Sequence, residues 1–363
     1  WLKVVHYIFV LYVHRGCRLR ALLQERMSSS VAGVEGRRLR VVSLLPSATE
    51  MLCGIEGGAC LLVGRSHADN YPESIVELPV LTGKTTVYTT AEDLNRQVAE
   101  ASAAGQSLWT LNAELLKSLR PDVILTQDIC ALCAIDSPTV EKIAVEMDPR
   151  PKVISLNPMC LEDVLQELVE IGEAVGLKAE GEQARANLQA RALLVDKVVE
   201  AGRSGKETDS LESRPTVALF EWTDPLYVAG HWTPEIVERA GGWHPMNPAT
   251  RKDGEKKGAG KSFAVPFERL METDPEYVVI CPCGLTLPES MLEAEQLPSQ
   301  EGWGNLRAVK EGKMVVLDGD AMLNRPGPRL IDALEWLAAT LQGRPEVAPR
   351  DFPAVWLPRV AAN

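Results

Sequence analysis

The sequence predicts an α/β fold of two lobes with mainly parallel sheets, joined by a long helix. Three observations carry this reading. Strand-like and helix-like segments alternate along most of the chain, the order expected of parallel strands covered by helices. Residues 161–203 interrupt that alternation with a long helical pattern. The segments "AELLKSLRPDVILTQDIC" and "FERLMETDPEYVVICPCG", on either side of it, echo each other, each with a Glu seven residues before a Pro. Repetition at this separation means two similar lobes rather than a solenoid.

In chain order, "RVVSLLP" from Arg40 is an apolar strand, and "SATEMLCGIEG" is a short helix opened by Ser and Thr and closed by glycines. "LLVGRS" is a second strand. "NAELLKSLRPDVILTQ" reads as helix, proline break and strand, and "SPTVEKIAVEMDPRPKVISL" repeats the order. Past the long helical stretch, "SGKETDSLESR" is loop. Alternation then resumes with "TVALFEW" as strand, "TPEIVERAGG" as helix, "FERLMETDPEYVVICP" as helix and strand, "GKMVVLDGD" as strand and "RPGPRLIDALEWLAATL" as closing helix. The expected divisions are a leader at 1–38, a first lobe at 39–158, a linking helix at 159–203, a second lobe at 214–345 and a tail at 346–363.

At 363 residues and 45% hydrophobic content the chain reads as soluble and globular, with a core that needs no staples. A formal net charge of −12 argues against nucleic acid and against an anionic membrane surface as partners. Eight cysteines are too dilute for a disulfide scaffold, and the Cys130/Cys133 and Cys281/Cys283 spacings are too tight for ordinary bridges, so the usage fits a reducing compartment. The opening "WLKVVHYIFVLYVHRGCRLR" has an apolar run of signal-peptide length but no small-residue cleavage site, and it is too short to span a bilayer. Met27 reads as the start of a cytosolic form. The expected location is therefore cytoplasmic or organellar, with an incomplete leader.

Ligands of open α/β sheets sit at the carboxyl ends of the strands. In the first lobe this selects Pro46, Ser47 and Thr49, then Arg65, Ser66, His67 and Asp69, then Gln127, Asp128, Cys130 and Cys133. In the second it selects Glu221, Trp222 and Asp224, then His231 and Trp232, then Cys281 and Cys283, and finally Asp318, Asp320 and Arg325. Aromatic rings, a few polar groups and thiols make up a pocket for a small organic ligand. Each residue also has a plainer reading: a loop histidine bonded at the surface, a core tryptophan, or Asp128 as a helix cap. The thiols allow three. A zinc site needs four ligands, which Cys130 and Cys133 reach only with Cys283 and His231 from the other lobe. A redox pair would have to open a helix, and otherwise these are small apolar wall residues. No nucleophile elbow, phosphate loop, zinc-protease motif or dinucleotide fingerprint is present in the sequence. Glu221 and Asp128 could act as a carboxylate pair across the cleft, though nothing in the sequence sets their separation.

The segments "VVSLLPSATEMLC", "LVGRSHADNYPE", "ELLKSLRPDVILTQ", "WGNLRAVKEGKMVVLDGD" and "RPGPRLIDALEWLAATL" together resemble the helical-backbone (class III) solute-binding proteins of cobalamin and iron-siderophore ABC importers. The likeness runs from about Arg38 to about Pro345 and is strongest to the cobalamin-binding branch. It implies two Rossmann-like lobes clamping a ligand with little hinge motion. It places ligand contacts at Ser47, the loop from His67 to Tyr71, Asp128 and its neighbours, Phe263 and Arg325. It also implies one glutamate per lobe offered to a permease, matched by Glu114 and Glu238. The segments "QDICALC", "EWTDPLYVAGHW" and "CPCG" depart from the transporter proteins and resemble a separate, soluble group of cobalamin-binding-protein-like chains.

The resulting expectation is a non-catalytic, monomeric protein holding a corrinoid or related metal chelate between its lobes, with an ABC permease as partner only if the chain is exported. Its ligand-binding set is Ser47, Arg65, His67, Asp128, Cys130, Trp222, His231, Trp232, Phe263 and Arg325. The alternatives are a metal-ion protein using Cys130, Cys133, Cys283 and His231, and an enzyme built on the same cleft.

Overall fold

The computed structural model describes residues 37–128, 135, 137–203, 210–250 and 260–359. In the first lobe β1 (Val41–Ser43) runs into α1 (Pro46–Gly54), followed by β2 (Leu62–Gly64) and β3 (Thr82–Lys84). Next come α2 (Ala91–Ala103), β4 (Trp109–Leu111), α3 (Ala113–Leu119), β5 (Val123–Gln127), α4 (Ser137–Val145) and β6 (Lys152–Leu156). The sheet order is β2-β1-β5-β6, and every pairing is parallel. β1 and β5 are buried at every residue, as strands covered on both faces must be. β3 and β4 stand apart as an antiparallel ribbon that sets Thr82 opposite Leu111 and Lys84 opposite Trp109.

The linking segment is a helical hairpin, α5 (Leu161–Ala174) and α6 (Lys178–Arg203). The 26 residues of α6 span about 39 Å at roughly 1.5 Å per residue. Gly172 and Gly181 set the closeness of the two helices. A Cβ on Gly172 would lie 2.7 Å from the Leu177 carbonyl oxygen, and one on Gly181 would lie 2.6 Å from that of Leu168. Any side chain at either place would therefore push the helices apart.

The second lobe comprises β7 (Val217–Thr223), β8 (Leu226–Val228), α7 (Trp232–Arg239), β9 (Phe263–Ala264), α8 (Phe267–Thr273) and β10 (Tyr277–Ile280). α9 (Leu287–Ala294), α10 (Arg307–Glu311), β11 (Met314–Leu317), α11 (Leu330–Gln342) and β12 (Ala354–Trp356) complete it. Its sheet order is β12-β11-β10-β7-β8-β9, with β11, β10 and β7 mutually parallel and the outer strands antiparallel. β12 comes from the segment set apart in the sequence as a tail, and Trp356 lies 6.2 Å from Trp336 of α11, centroid to centroid. The echo between the lobes is structural. α3 and α8 each end on a residue in the left-handed region, Arg120 (φ 44°) and Asp274 (φ 38°), one residue before the proline that precedes β5 or β10.

α6 is fastened to the second lobe by ion pairs. Arg191 reaches Glu335 (Nε to Oε1 2.9 Å) and Asp332 (2.5 Å), and Arg239 of α7 grips Asp196 with two bonds of 2.8 and 2.9 Å.

Two further contacts latch the lobes directly. In the first, Glu50 of α1 is buried and receives Arg325 Nη1 at 3.0 Å, Arg329 Nε at 2.8 Å and Arg329 Nη2 at 2.5 Å. Arg325 also donates to Asn70 Oδ1 (2.9 Å) and the Ala68 carbonyl (3.0 Å), and pairs with Asp320 (2.8 Å). The Arg329 guanidinium lies over the Tyr71 ring, 4.5 Å from its centroid. In the second latch the polarity is reversed. Glu293 of α9, buried, accepts from Tyr88 Oη (2.6 Å) and the Ala91 amide (2.8 Å) of the first lobe, and from Thr223 Oγ1 (3.1 Å) of its own.

Removing Glu50 takes away the ion-pair partner of Arg329 and one of the two carboxylates that meet Arg325, itself buried. Glu50→Ala is expected to lower unfolding stability by about 3–5 kcal/mol, the usual cost of breaking a buried pair from one side, read from urea denaturation. A second expectation concerns Glu167 of α5, which is buried with Oε2 unpartnered. Burial, and then Glu170, push its carboxyl up to about 8. A folded-state value above the unfolded one gives stability that is full below the unfolded value near 4.5 and lost as pH rises through 8. Glu167→Gln should therefore raise the melting temperature at about pH 8.5, by about 1–3 kcal/mol in stability, with the gain vanishing near pH 4.

Candidate functional site

A cleft of about 270 Å³ lies between the lobes, lined from the first by the start of α1, the loop after β2, the β3–β4 ribbon and one face of α2, and from the second by the turns after β10 and β11. The carboxyl ends of β1, β2, β5, β10 and β11 open onto it. Leu44, Pro46, Leu94, Val98 and Leu108 supply apolar wall. Arg325 and Asp320 of one latch and Tyr88 of the other also line it, so the contacts that join the lobes also shape the cavity.

His67 is the most unusual polar group there. Its backbone amide donates to Thr82 Oγ1 (3.0 Å) and its Nδ1 lies 2.7 Å from the same hydroxyl, which fixes the ring from two directions. The ring sits 5.4 Å from that of Trp109. Nε2 of His67 and Nε1 of Trp109 are both buried without a hydrogen-bond partner. Burial, with Lys84 nearby, lowers the imidazole to about 4, so it is neutral at physiological pH. Neutral imidazole with one nitrogen oriented and the other unengaged is the arrangement of a metal-binding histidine. Below the loop, buried Asp69 takes bonds from Ser66 and Thr49, which offset the upward push of burial on its carboxyl and hold the turn that carries His67.

Of the sequence-selected residues, Pro46, Ser47, Ser66, His67, Gln127, Cys283, Asp320 and Arg325 line the cleft. Others are placed elsewhere. Arg65 bonds the carbonyls of Ser66 (3.1 Å), Asp69 (2.9 Å) and Val76 (2.5 Å), closing its own loop rather than reaching a ligand. Asp128 accepts from the Ser137 amide at 3.0 Å, the helix-cap role. Trp222 donates to the Asp224 carbonyl at 3.1 Å and lies outside the cleft lining. His231, with φ 53°, donates its amide to Gly260 at 2.5 Å and lies against Trp232, away from the lining. Trp232 is buried and its Nε1 donates to the Leu323 carbonyl at 2.5 Å, so it supports from beneath the turn that carries Arg325. Phe263 lies exposed on the edge strand β9. Glu221 is also outside the lining. Burial raises its carboxyl, while bonds from Ser262 and the Gly230 backbone hold it in place.

Cys130 and Cys133 lie outside the described residues. Of the metal set, Cys283 lines the cleft and His231 does not, and among the described residues no group of three or more metal-ligating side chains forms. Glu114 is exposed at the surface. Glu238 is not: it is buried, and its Oε1 accepts the amides of Ala249 (2.8 Å) and Thr250 (3.0 Å), which corrects the docking role the resemblance gave it. The surface carboxylate that answers Glu114 in the second lobe is Glu268, at the same place in α8 as Glu114 in α3. The repeated "AELLKSLRP" and "FERLMETDP" already carried that match. Lys84, Tyr88 and Trp109, also in the lining, come from or beside the ribbon and carry no sequence signal that a strand-end rule can find.

The family model for periplasmic binding proteins matches residues 41–321. Among solved structures, a periplasmic heme-binding protein from Pseudomonas aeruginosa is 22% identical, with a TM-score of 0.60 over 85% of this chain and 94% of that one. The periplasmic vitamin B12 binding protein BtuF of Vibrio cholerae is 17% identical, with a TM-score of 0.57 over 84% and 96%. An ABC transporter substrate-binding protein from Listeria monocytogenes is 16% identical, with a TM-score of 0.56 over 84% and 99%. No curated protein matches the sequence. The periplasmic character of this family overturns the cytoplasmic or organellar location drawn from the leader. Two α/β lobes, a helical link, a cleft at the strand ends and a family match over most of the chain together make this protein a member of the helical-backbone (class III) periplasmic binding proteins.

Proposed function

We propose that the protein is a non-catalytic carrier that clamps a flat metal chelate, a tetrapyrrole of the corrinoid or heme kind, between its lobes, with His67 meeting the metal. The observation that carries this is the His67 ring: in the cleft wall, held by Thr82, neutral, and with a buried Nε2 that no protein group engages. Apolar wall from α1 and α2 gives a flat macrocycle the surface to bury, at roughly 25 cal/mol per Å² before association costs. The heme-binding and vitamin B12-binding neighbours support the same class of ligand. Delivery to a permease would use Glu114 and Glu268, exposed carboxylates at equivalent places of the two lobes.

Titration with hemin and with cyanocobalamin, followed in the visible spectrum, tests the reading. At least one chelate should bind with a shifted absorption band, and His67→Ala should weaken it by about ten-fold or more while abolishing the shift. Neither chelate binding at tens of micromolar overturns the proposal. Because protonation of His67 competes with metal only near its lowered value of about 4, affinity should stay flat from about pH 8 to 5 and fall below that. The double reversal Glu114→Arg/Glu268→Arg should leave chelate affinity unchanged and abolish capture by the source organism's permease in nanodiscs.

A further inference from the structure

The charged groups of the cleft are unevenly matched. Asp320 is held by Arg325 (2.8 Å) and by Asn70 Nδ2 (2.8 Å), and Arg325 is further bound to Glu50. Glu289 Oε2 accepts the amide and hydroxyl of Thr286 (2.8 and 2.7 Å), closing a capping box at the start of α9. Lys84 is different. It lines the cleft, is exposed, and has no hydrogen-bond or ion-pair partner among the described residues. It stands opposite Trp109 across the β3–β4 ribbon, and Trp109 carries a buried indole N–H with no acceptor. An unmatched ammonium and an unmatched N–H donor on adjacent positions of one rigid ribbon, beside His67, leave room for one kind of partner: an anionic oxygen group.

We infer that Lys84 and Trp109 form a carboxylate subsite, so that the bound chelate carries a free acid side chain beside its metal. This rests on the chelate reading above and narrows it: a macrocycle with ionised carboxylates is favoured over one whose acids are amidated or esterified. A carboxylate meets Lys84 with a charge-assisted bond and gives the indole N–H an acceptor, and an ester or amide offers no charge for the ammonium.

The test compares hemin, hemin dimethyl ester and metal-free protoporphyrin IX with its dimethyl ester, each by quenching of tryptophan fluorescence. The wild-type protein should bind each acid about ten-fold or more tightly than its ester. Lys84→Met should lose that preference, Lys84→Arg should keep most of it, and Trp109→Phe should reduce it in part. Lys84 is exposed, and an unchanged melting temperature confirms that its variants fold. Equal affinity for acid and ester in the wild type, or a Lys84→Met protein that keeps the preference, overturns the subsite while leaving the chelate reading intact. Protoporphyrin bound as tightly as hemin, with both dependent on Lys84, removes metal coordination by His67 and upholds the subsite. If none of the four binds, the subsite falls, and the chelate reading falls with it only if cyanocobalamin also fails to bind.

Discussion

One carboxylate of the first lobe, Glu50, meets two guanidinium groups of the second, and the shape of the cleft follows from that contact. Its three bonds to Arg325 and Arg329 are made in a buried setting, where charge-assisted, forked geometry is strongest and the loss of a partner is most costly. Arg325 does not stop at Glu50. It also gathers Asn70, the Ala68 carbonyl and Asp320, so the loop that carries His67 is tied to the opposite lobe by the same side chain. Burial of an ion pair is weak evidence for net stability. What it fixes here is register: the turn after β11 and the turn after β2 can face each other in one way only.

The site is asymmetric in chemistry though symmetric in topology. The first lobe supplies the oriented imidazole, the indole and the ammonium, all on or against the β3–β4 ribbon. The second supplies turns, among them Cys283 to Leu285 and Gly319 to Pro326, supported from beneath by Trp232. On the proposed reading, recognition would be concentrated on one lobe, and the other would act mainly as a fitted lid whose charges are already matched within the protein.

Much of the fold was legible because its central strands are short apolar runs buried on both faces, and because the helix–proline–strand unit recurs as α3–β5 and α8–β10. The strand-end rule found Ser47, His67, Cys283 and Arg325 for the same reason: β1, β2, β10 and β11 are parallel and discharge into one crevice. It misplaced His231 because β8 lies on the antiparallel edge of its sheet, where the end of a strand no longer marks the crevice, and Phe263, which the resemblance supplied, sits on β9 of the same edge. Lys84 and Trp109 were invisible because their pairing is non-local and outside the main sheet. Glu50 looked like one more helix residue, since nothing in "SATEMLCG" says that two arginines far along the chain will converge on it.

The cleft, at about 270 Å³, falls just below the span of about 300–1,000 Å³ usual for pockets that enclose a drug-sized molecule. A large flat cargo would have to widen it. If the lobes part to admit it, the two latches oppose this unequally: one is a buried double ion pair, the other two single bonds, from Tyr88 Oη and the Ala91 amide to Glu293. Parting at the Glu293 side, with the Glu50 side as pivot, is the easier motion. On the proposed reading, loading of such a cargo would be a gated process whose rate saturates with cargo concentration at the frequency of latch opening, while a bare ion or small acid, needing no such opening, would come and go at the pace of diffusion.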